Sequence, residues 1–350
     1  MPDMKVRELG EFGLIECLNG MILRGRGRPT AARERLIIGI GDDAAAWHGD
    51  TAIQLATVDS LIQDVHFSLN TASWEEVGWK SLAVNVSDIA AMGGLPAYAL
   101  ISLGLPGDTG VKDVIALYRG MIDLAGEYEV DIIGGNTVSA PQAVINVTVL
   151  GSTGSKDGQI LTRSAARPGD LIAVTGTLGA AAAGVEILRK GLTFEPGTTT
   201  SLRKTFLHPR PRVAEGRLLV EHGVKAAIDI SDGLIADLNH ICRESRVGAR
   251  VEVDRVPISP AVKECFPDRA LELALSGGED YELLFTAAAD NIDRVRTAAS
   301  CPITVIGEIT VIGEITTEGV NETVLVDSHG NPVSLPGTGW DHFNAARNQK

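Results

Sequence analysis

Long apolar runs are missing from this chain of 350 residues, and none approaches the ~20 residues that a membrane-spanning helix needs. The opening residues, MPDMKVRELGEFG, lack a basic start followed by an apolar core, so no signal peptide is expected. Cysteine is scarce. Cys17, Cys242, Cys265 and Cys301 are scattered with no C-x-x-C pair, which points to a reducing cytoplasm rather than a disulfide frame. Basic charge is also short: 31 Lys and Arg face 45 Asp and Glu, a formal net charge of −14. Broad nucleic-acid binding needs a basic face, so it is excluded, whereas an acidic balance suits cation binding. No H-E-x-x-H or EF-hand loop is present, against zinc and structural calcium. Walker A and the protein-kinase signatures are absent too.

What is present is a mixed pattern of helices and strands in two halves. GSKDGQ and ARPGD punctuate the middle, placing a boundary between about 150 and 168. We divide the chain into 1–153 and 154–350. In the first half, residues 4–22 read as a helix, followed by five arginines from Arg24 to Arg35, either a solvated loop or an electropositive flap for phosphate. The stretch KSLAVNVSDIAAMGGLP, Lys80 to Pro96, reads as a buried helix ending at Gly93-Gly94. It carries Asn85 and Asp88 on one face, and a buried carboxylate calls for a partner such as a metal ion. A helix is expected near 110–128, a short strand VDII running into a turn GGNT, and an alternating strand over 143–152.

The second half opens with a strand, DLIAVTG, and the turn GTLGAAAAG into a helix. This could receive an anion, but it lacks G-x-G-x-x-G, and close packing on small residues is the favoured reading. A strand KAAIDI then feeds the turn SDGL and a helix over 233–244, and LALSGGEDYELLFT feeds another strand. TVIGEI occurs twice in succession, at 304–309 and 310–315; no chemistry is assigned to it.

Acidic residues recur at strand ends and glycine turns: Asp42, Asp43, Asp59, Asp88, Asp229, Asp232, Glu279 and Asp280. Each alone is a turn or a cap; Ser231-Asp232, for example, could cap the helix after it. Together, oxygen donors without cysteine or histidine spacing favour Mg²⁺. If the chain handles ATP, phosphate clamping by metal ions would suffice for phosphoryl transfer.

GIGDDAA, TVDSLIQDVHF, KSLAVNVSDIAAMGGLP, IIGGNT, LTRSAARPGD, AIDISDGLIADLNHI, SGGEDYELLF and GWDHF follow one another from about residue 5 to 343. In this order they resemble the thiamine-monophosphate kinase family. Aminoimidazole ribonucleotide synthetase and selenophosphate synthetase belong to the same superfamily. The resemblance implies a two-domain α/β (α+β) fold of the aminoimidazole ribonucleotide synthetase type. It implies a cytoplasmic homodimer whose N-terminal domains pair into a shared β-barrel. It further implies that ATP and thiamine monophosphate give ADP and thiamine diphosphate by direct in-line transfer, the last step of thiamine diphosphate biosynthesis.

By the same resemblance, Asp43, Thr57, Val58, Asp59, Asp88, Asn136, Asp229 and Asp232 fall on Mg²⁺ positions, Val58 through its carbonyl. Asp88 touches several ions. Tyr118, Gly135, Asn136, Arg163 and Ser231 fall on ATP positions, and His66, Glu279 and Trp340 on substrate positions. The aspartates serve as metal ligands and not as acid–base groups, because a phosphate monoester is already anionic near neutral pH. One departure stands out: the family's G-G-D-T turn has Asn136 in place of the aspartate, which predicts a more weakly held Mg²⁺. Two rivals follow, a catalytically impaired nucleotide- or thiamine-phosphate-binding homologue and another ATP-using enzyme of the superfamily. Cys17 is followed by Leu18, not by the lysine of a selenophosphate synthetase.

Overall fold

The computed structural model describes residues 4–25, 30–38, 46–49, 52–153, 158–310 and 323–334. Asp42, Asp43, Trp340 and the second TVIGEI copy beyond Thr310 lie outside them. The chain forms two compact units, Met1–Ile89 with Gly94–Gly158, and Ala90–Gly93 with Gln159–Lys350.

The first unit contains α1 (Val6–Gly25), α2 (Ala31–Arg35), β1 (Leu36–Ile38), β2 (Ala46–Trp47), β3 (Gln54–Ile62), α3 (Trp74–Ala91), β4 (Leu95–Leu105), α4 (Val111–Glu127), β5 (Asp131–Ser139) and β6 (Val144–Ser152). Helix α3 is the buried helix read from Lys80, but it starts a turn and a half earlier. Ser73 and Glu76 explain the start. The Ser73 backbone N–H donates to Glu76 Oε2 at 2.7 Å, and the Glu76 N–H donates back to Ser73 Oγ at 3.3 Å, a reciprocal cap. Gly93, with φ of 69°, ends it in the left-handed region. Helices α3 and α4 meet backbone to backbone: a Cβ on Gly78 would sit 1.9 Å from the Leu117 carbonyl oxygen.

The sheet of this unit runs β3-β6-β4-β5, antiparallel except for β4 with β5. The expected alternation of β6 holds, with Ile145, Val147 and Val149 fully buried. The expected turn at GGNT does not: residues 134–137 continue β5, with Asn136 opposite Ser102. Glycine makes this possible, since a Cβ on Gly135 would lie 1.8 Å from the Ile101 carbonyl oxygen. Of the basic run, Arg33 is turned inward, its Nη2 paired with the buried Asp131 Oδ1 at 2.7 Å, as a structural residue and not part of a phosphate flap.

The second unit contains β7 (Leu171–Thr175), α5 (Ala180–Lys190), α6 (Pro196–Leu207), α7 (Val213–Glu221), β8 (Ala226–Asp229), α8 (Leu234–Ser245), β9 (Gly248–Glu252), α9 (Pro260–Cys265), α10 (Ala270–Ser276), β10 (Leu283–Ala287), α11 (Ala289–Ala298), β11 (Ile303–Thr310) and β12 (Thr323–Val326). Its sheet runs β12-β9-β11-β7-β10-β8. Ile172 and Val174 join a core with Leu238 and Ile241 of α8, whereas Ala173 joins one with Leu219 of α7 and Val295 of α11. Neighbouring residues of a strand point to opposite faces, so both faces of the sheet are covered by helices. The first TVIGEI copy forms most of β11.

The helix start at α5 is filled by a side chain of the same unit. Asp280 Oδ2 accepts from the Gly179 N–H at 2.8 Å, and Oδ1 from the Ala181 N–H at 3.2 Å. A carboxylate from the same unit therefore takes the place where a ligand anion could have sat.

Candidate active site

On the first unit, β3 and α3 bring the two motif segments into contact. Leu55, Thr57, Asp59 and Leu61 alternate onto one face of β3, and Leu55 and Leu61 are buried there. Thr57 Oγ1 donates to Asp88 Oδ2 at 2.5 Å. Asp88 is the only residue between Trp79 and Ala91 that is not buried, so α3 opens to solvent at this carboxylate. Asn85 does not orient it. Its Nδ2 donates to the Ser81 carbonyl one turn back at 3.0 Å, and the side chain is wholly buried.

Val58 points the other way from Thr57 and is 56% exposed; its backbone carbonyl is its one oxygen, on a strand paired with β6. His66 is half-buried in the turn after β3, and its Nδ1 accepts from the Ile62 N–H at 3.1 Å. Gly135 and Asn136 are exposed on β5. Tyr118 lies in the core side of α4, where burial pushes its hydroxyl above the usual tyrosine range.

On the second unit, Asp229 closes β8 at 3% exposure, and Ser231-Asp232-Gly233 form the turn into α8. The turn residues do not cap the helix by their side chains; the cap residue is Gly233. Asp237, one turn inside α8, does the work instead. Its Oδ2 accepts from the backbone N–H groups of Ser231, Asp232 and Gly233 at 3.0, 3.1 and 3.1 Å. Burial, and then the charges of Asp229 and Asp232, hold the Asp237 carboxyl well above the usual range.

The other side of the turn is fixed by the SGGED loop. Glu279 N–H donates to the Ser231 carbonyl at 2.8 Å and Tyr281 N–H to the Ile230 carbonyl at 2.9 Å. A Cβ on Gly278 would lie 2.2 Å from Ser231 O, so the two loops can approach this closely only with glycine there. Asp229, Ser231, Asp232 and Glu279 thus sit on two cross-linked loops, whereas Arg163 stands on a separate segment.

Asp237 and His240 are additions to the sequence reading. Asp232, Asp237 and His240 each offer a ligand atom, all within 4.8 Å of one another. The i, i+3 spacing of Asp237 and His240 within IADLNHI was the available signal. Burial, followed by the charges of Arg163 and Arg243, lowers the basicity of His240. Arg163 itself is exposed, with its carbonyl tied to Ser245 Oγ at 2.7 Å.

Carboxylates set against one another, as Asp237 is with Asp229 and Asp232, are the donor chemistry that a hard divalent cation stabilises. Thr57, Asp59 and Asp88 on the first unit supply the same kind of oxygen set. Both groups fit Mg²⁺.

Residues 41–153 match the family model "AIR synthase related protein, N-terminal domain", and residues 167–320 match "AIR synthase related protein, C-terminal domain". Thiamine-monophosphate kinase of Bacillus subtilis (strain 168) is 37% identical over 315 residues, 87% of this chain and 93% of that protein. The crystal structure of thiamine-monophosphate kinase from Stenotrophomonas maltophilia K279a is similar with a TM-score of 0.76 at 37% identity, over 89% of this chain and 95% of that one. AaThiL complexed with AMPPCP and TMP is similar with a TM-score of 0.73 at 33% identity, over 98% and 100% of the two chains. The fold is therefore the mixed α/β, two-domain AIR synthase type, and the chain belongs to the thiamine-monophosphate kinase family.

Proposed function

We propose that this chain is an ATP-dependent thiamine-monophosphate kinase that forms thiamine diphosphate and ADP, acting in the cytoplasm as a homodimer. A shared β-barrel of paired N-terminal domains is the dimer form that the family resemblance supports. The observation that carries the reading is the near full-length match to a kinase whose complex holds AMPPCP and TMP. The carboxylate sets at Thr57–Asp88 and Asp229–Asp237 lie in the motifs of that family.

In this reading, an oxygen of the thiamine monophosphate phosphate attacks the γ-phosphorus of ATP, and the bond from that phosphorus to the β,γ-bridging oxygen breaks. ADP leaves with the electron pair. No base is needed, because the attacking phosphate, with a second pKa of ~6, is already anionic at neutral pH. Asp43, the Thr57 hydroxyl, the Val58 carbonyl, Asp59, Asp88, Asn136, Asp229 and Asp232 would hold Mg²⁺. When bound, Mg²⁺ neutralises phosphate charge and polarises the transferred group.

The exposed Arg163 suits phosphate oxygens through its planar fork, and Ser231 adds a hydroxyl on a turn held rigid by Asp237. Gly135, exposed on β5, is the remaining nucleotide position at the surface; Tyr118, buried on α4, would act from behind it. His66, Glu279 and Trp340 contact thiamine monophosphate, Trp340 by stacking on the cationic thiazolium.

Asn136 favours one second reading, a homologue that binds both ligands without transfer. The discriminating experiment measures ADP release with ATP and Mg²⁺, with and without thiamine monophosphate. Release that depends on thiamine monophosphate, matched by thiamine diphosphate, supports the kinase. Tight binding of both ligands with no thiamine diphosphate supports the binder.

A further inference from the structure

Glu279 stands on a backbone that few side chains tolerate. Its φ is 74° and that of Tyr281 is 50°, so two residues with a Cβ occupy the left-handed region on either side of Asp280. Such conformations persist only where the surroundings over-determine them, and they gather at ligand-binding positions.

Here the surroundings are explicit. Asp280 is clamped by two N–H groups at the start of α5, at 2.8 and 3.2 Å. The N–H groups of Glu279 and Tyr281 are bound to the Ser231 and Ile230 carbonyls at 2.8 and 2.9 Å. The backbones of Glu279 and Tyr281 and the side chain of Asp280 between them are thus anchored. Tyr281 also holds the Glu279 side chain: the ring is buried, at 7% exposure, and its Oη donates to Glu279 Oε2 at 3.0 Å.

We propose that Tyr281 is a positioning residue, whose hydroxyl holds the half-buried Glu279 carboxylate in the orientation that receives the cationic thiamine portion of the substrate. A hydroxyl can donate only one proton, and giving it to Oε2 favours the side-chain orientations that keep that oxygen against the ring. A buried ring on a fixed backbone is a rigid point from which to do so. This rests on the reading in which Glu279 contacts thiamine monophosphate.

The test is a double-mutant cycle on the full chain with Y281F, E279Q and the pair, measuring KM for thiamine monophosphate, KM for ATP and kcat. Y281F keeps the ring and removes only the hydroxyl. The expected result is a KM for thiamine monophosphate raised about tenfold in Y281F, with KM for ATP and kcat within about twofold. In the E279Q background the same change should add little, because the group it positions has gone. A merely structural hydroxyl would lower the melting temperature and leave this split unmoved. If E279Q raises KM but Y281F does not, or if the two effects add in full, the positioning role is overturned while Glu279 remains a substrate contact. If E279Q leaves KM unchanged, the Glu279 assignment fails and the positioning role fails with it.

Discussion

Asp280 makes the stability of this chain depend on pH in a direction opposite to that of most carboxylates. The side chain is 8% exposed, and burial pushes its carboxyl up to about 7 against the pull of the Gly179 and Ala181 N–H groups. The sign follows from proton uptake. Between the ordinary value of 3.8 and about 7, the folded chain holds a proton that the unfolded chain has lost. Stability from this group is therefore full below pH 3.8, falls as pH rises, and is gone once pH passes about 7.

Its size is the gap from 3.8 to about 7, or about 3 pH units, which at ~1.36 kcal/mol each is up to ~4 kcal/mol. Asp280→Asn keeps the shape and one acceptor oxygen but cannot ionise. The amide faces one of the two N–H groups with its own NH2, a loss that does not vary with pH; relative to its value near pH 4, the stability difference should move in the variant's favour by up to ~4 kcal/mol by pH 8. Equilibrium urea unfolding followed by circular dichroism from pH 4 to 8 reads the difference, and subtracting the curves removes the other titrating groups. Parallel curves across the range would refute the reasoning.

Three more outcomes are expected. Asp88→Asn should cut turnover by at least ~10²-fold through loss of a charge that balances bound cation, while the half-buried site and the Thr57 hydrogen bond keep the melting temperature close to wild type; an active Asp88→Asn enzyme removes Asp88 from the chemistry. Asn136→Asp should shift the Mg²⁺ dependence of turnover to lower concentration, and an unchanged Mg²⁺ profile counts against Asn136 as a ligand. Gly135→Ala should destabilise the first unit by ~2 kcal/mol or more, because the new Cβ would lie 1.8 Å from the Ile101 carbonyl oxygen; an unshifted melting temperature would show that β4 and β5 can part at no cost.

The elements with a strong period were legible in the sequence. Helix α3 is apolar nearly all round and has a glycine stop, and β6 alternates without a break. GGNT misled because glycine is the residue of turns, while here it admits the neighbouring strand's backbone. Asp88 and Asp229 were legible as polar residues in apolar surroundings. Asp237 was not, because a carboxylate in the first turn of an amphipathic helix is ordinary, and only the folded turn shows three N–H groups pointing at it. The left-handed backbone at Glu279 and Tyr281 was equally hidden, since local preference disfavours it and long-range anchors impose it. The arginine run reads as a solvated loop or a basic flap, and neither reading gives Arg33 its partner Asp131, which is distant in sequence.

Phosphorus NMR of the wild-type chain with ATP, Mg²⁺ and thiamine monophosphate tests the central claim most directly. The γ-phosphate signal of ATP and the monoester signal of thiamine monophosphate should fall together, replaced by ADP and the paired signals of thiamine diphosphate, with no equivalent rise in inorganic phosphate. Loss of ATP to inorganic phosphate with thiamine monophosphate untouched, or no change in any signal, would contradict the account.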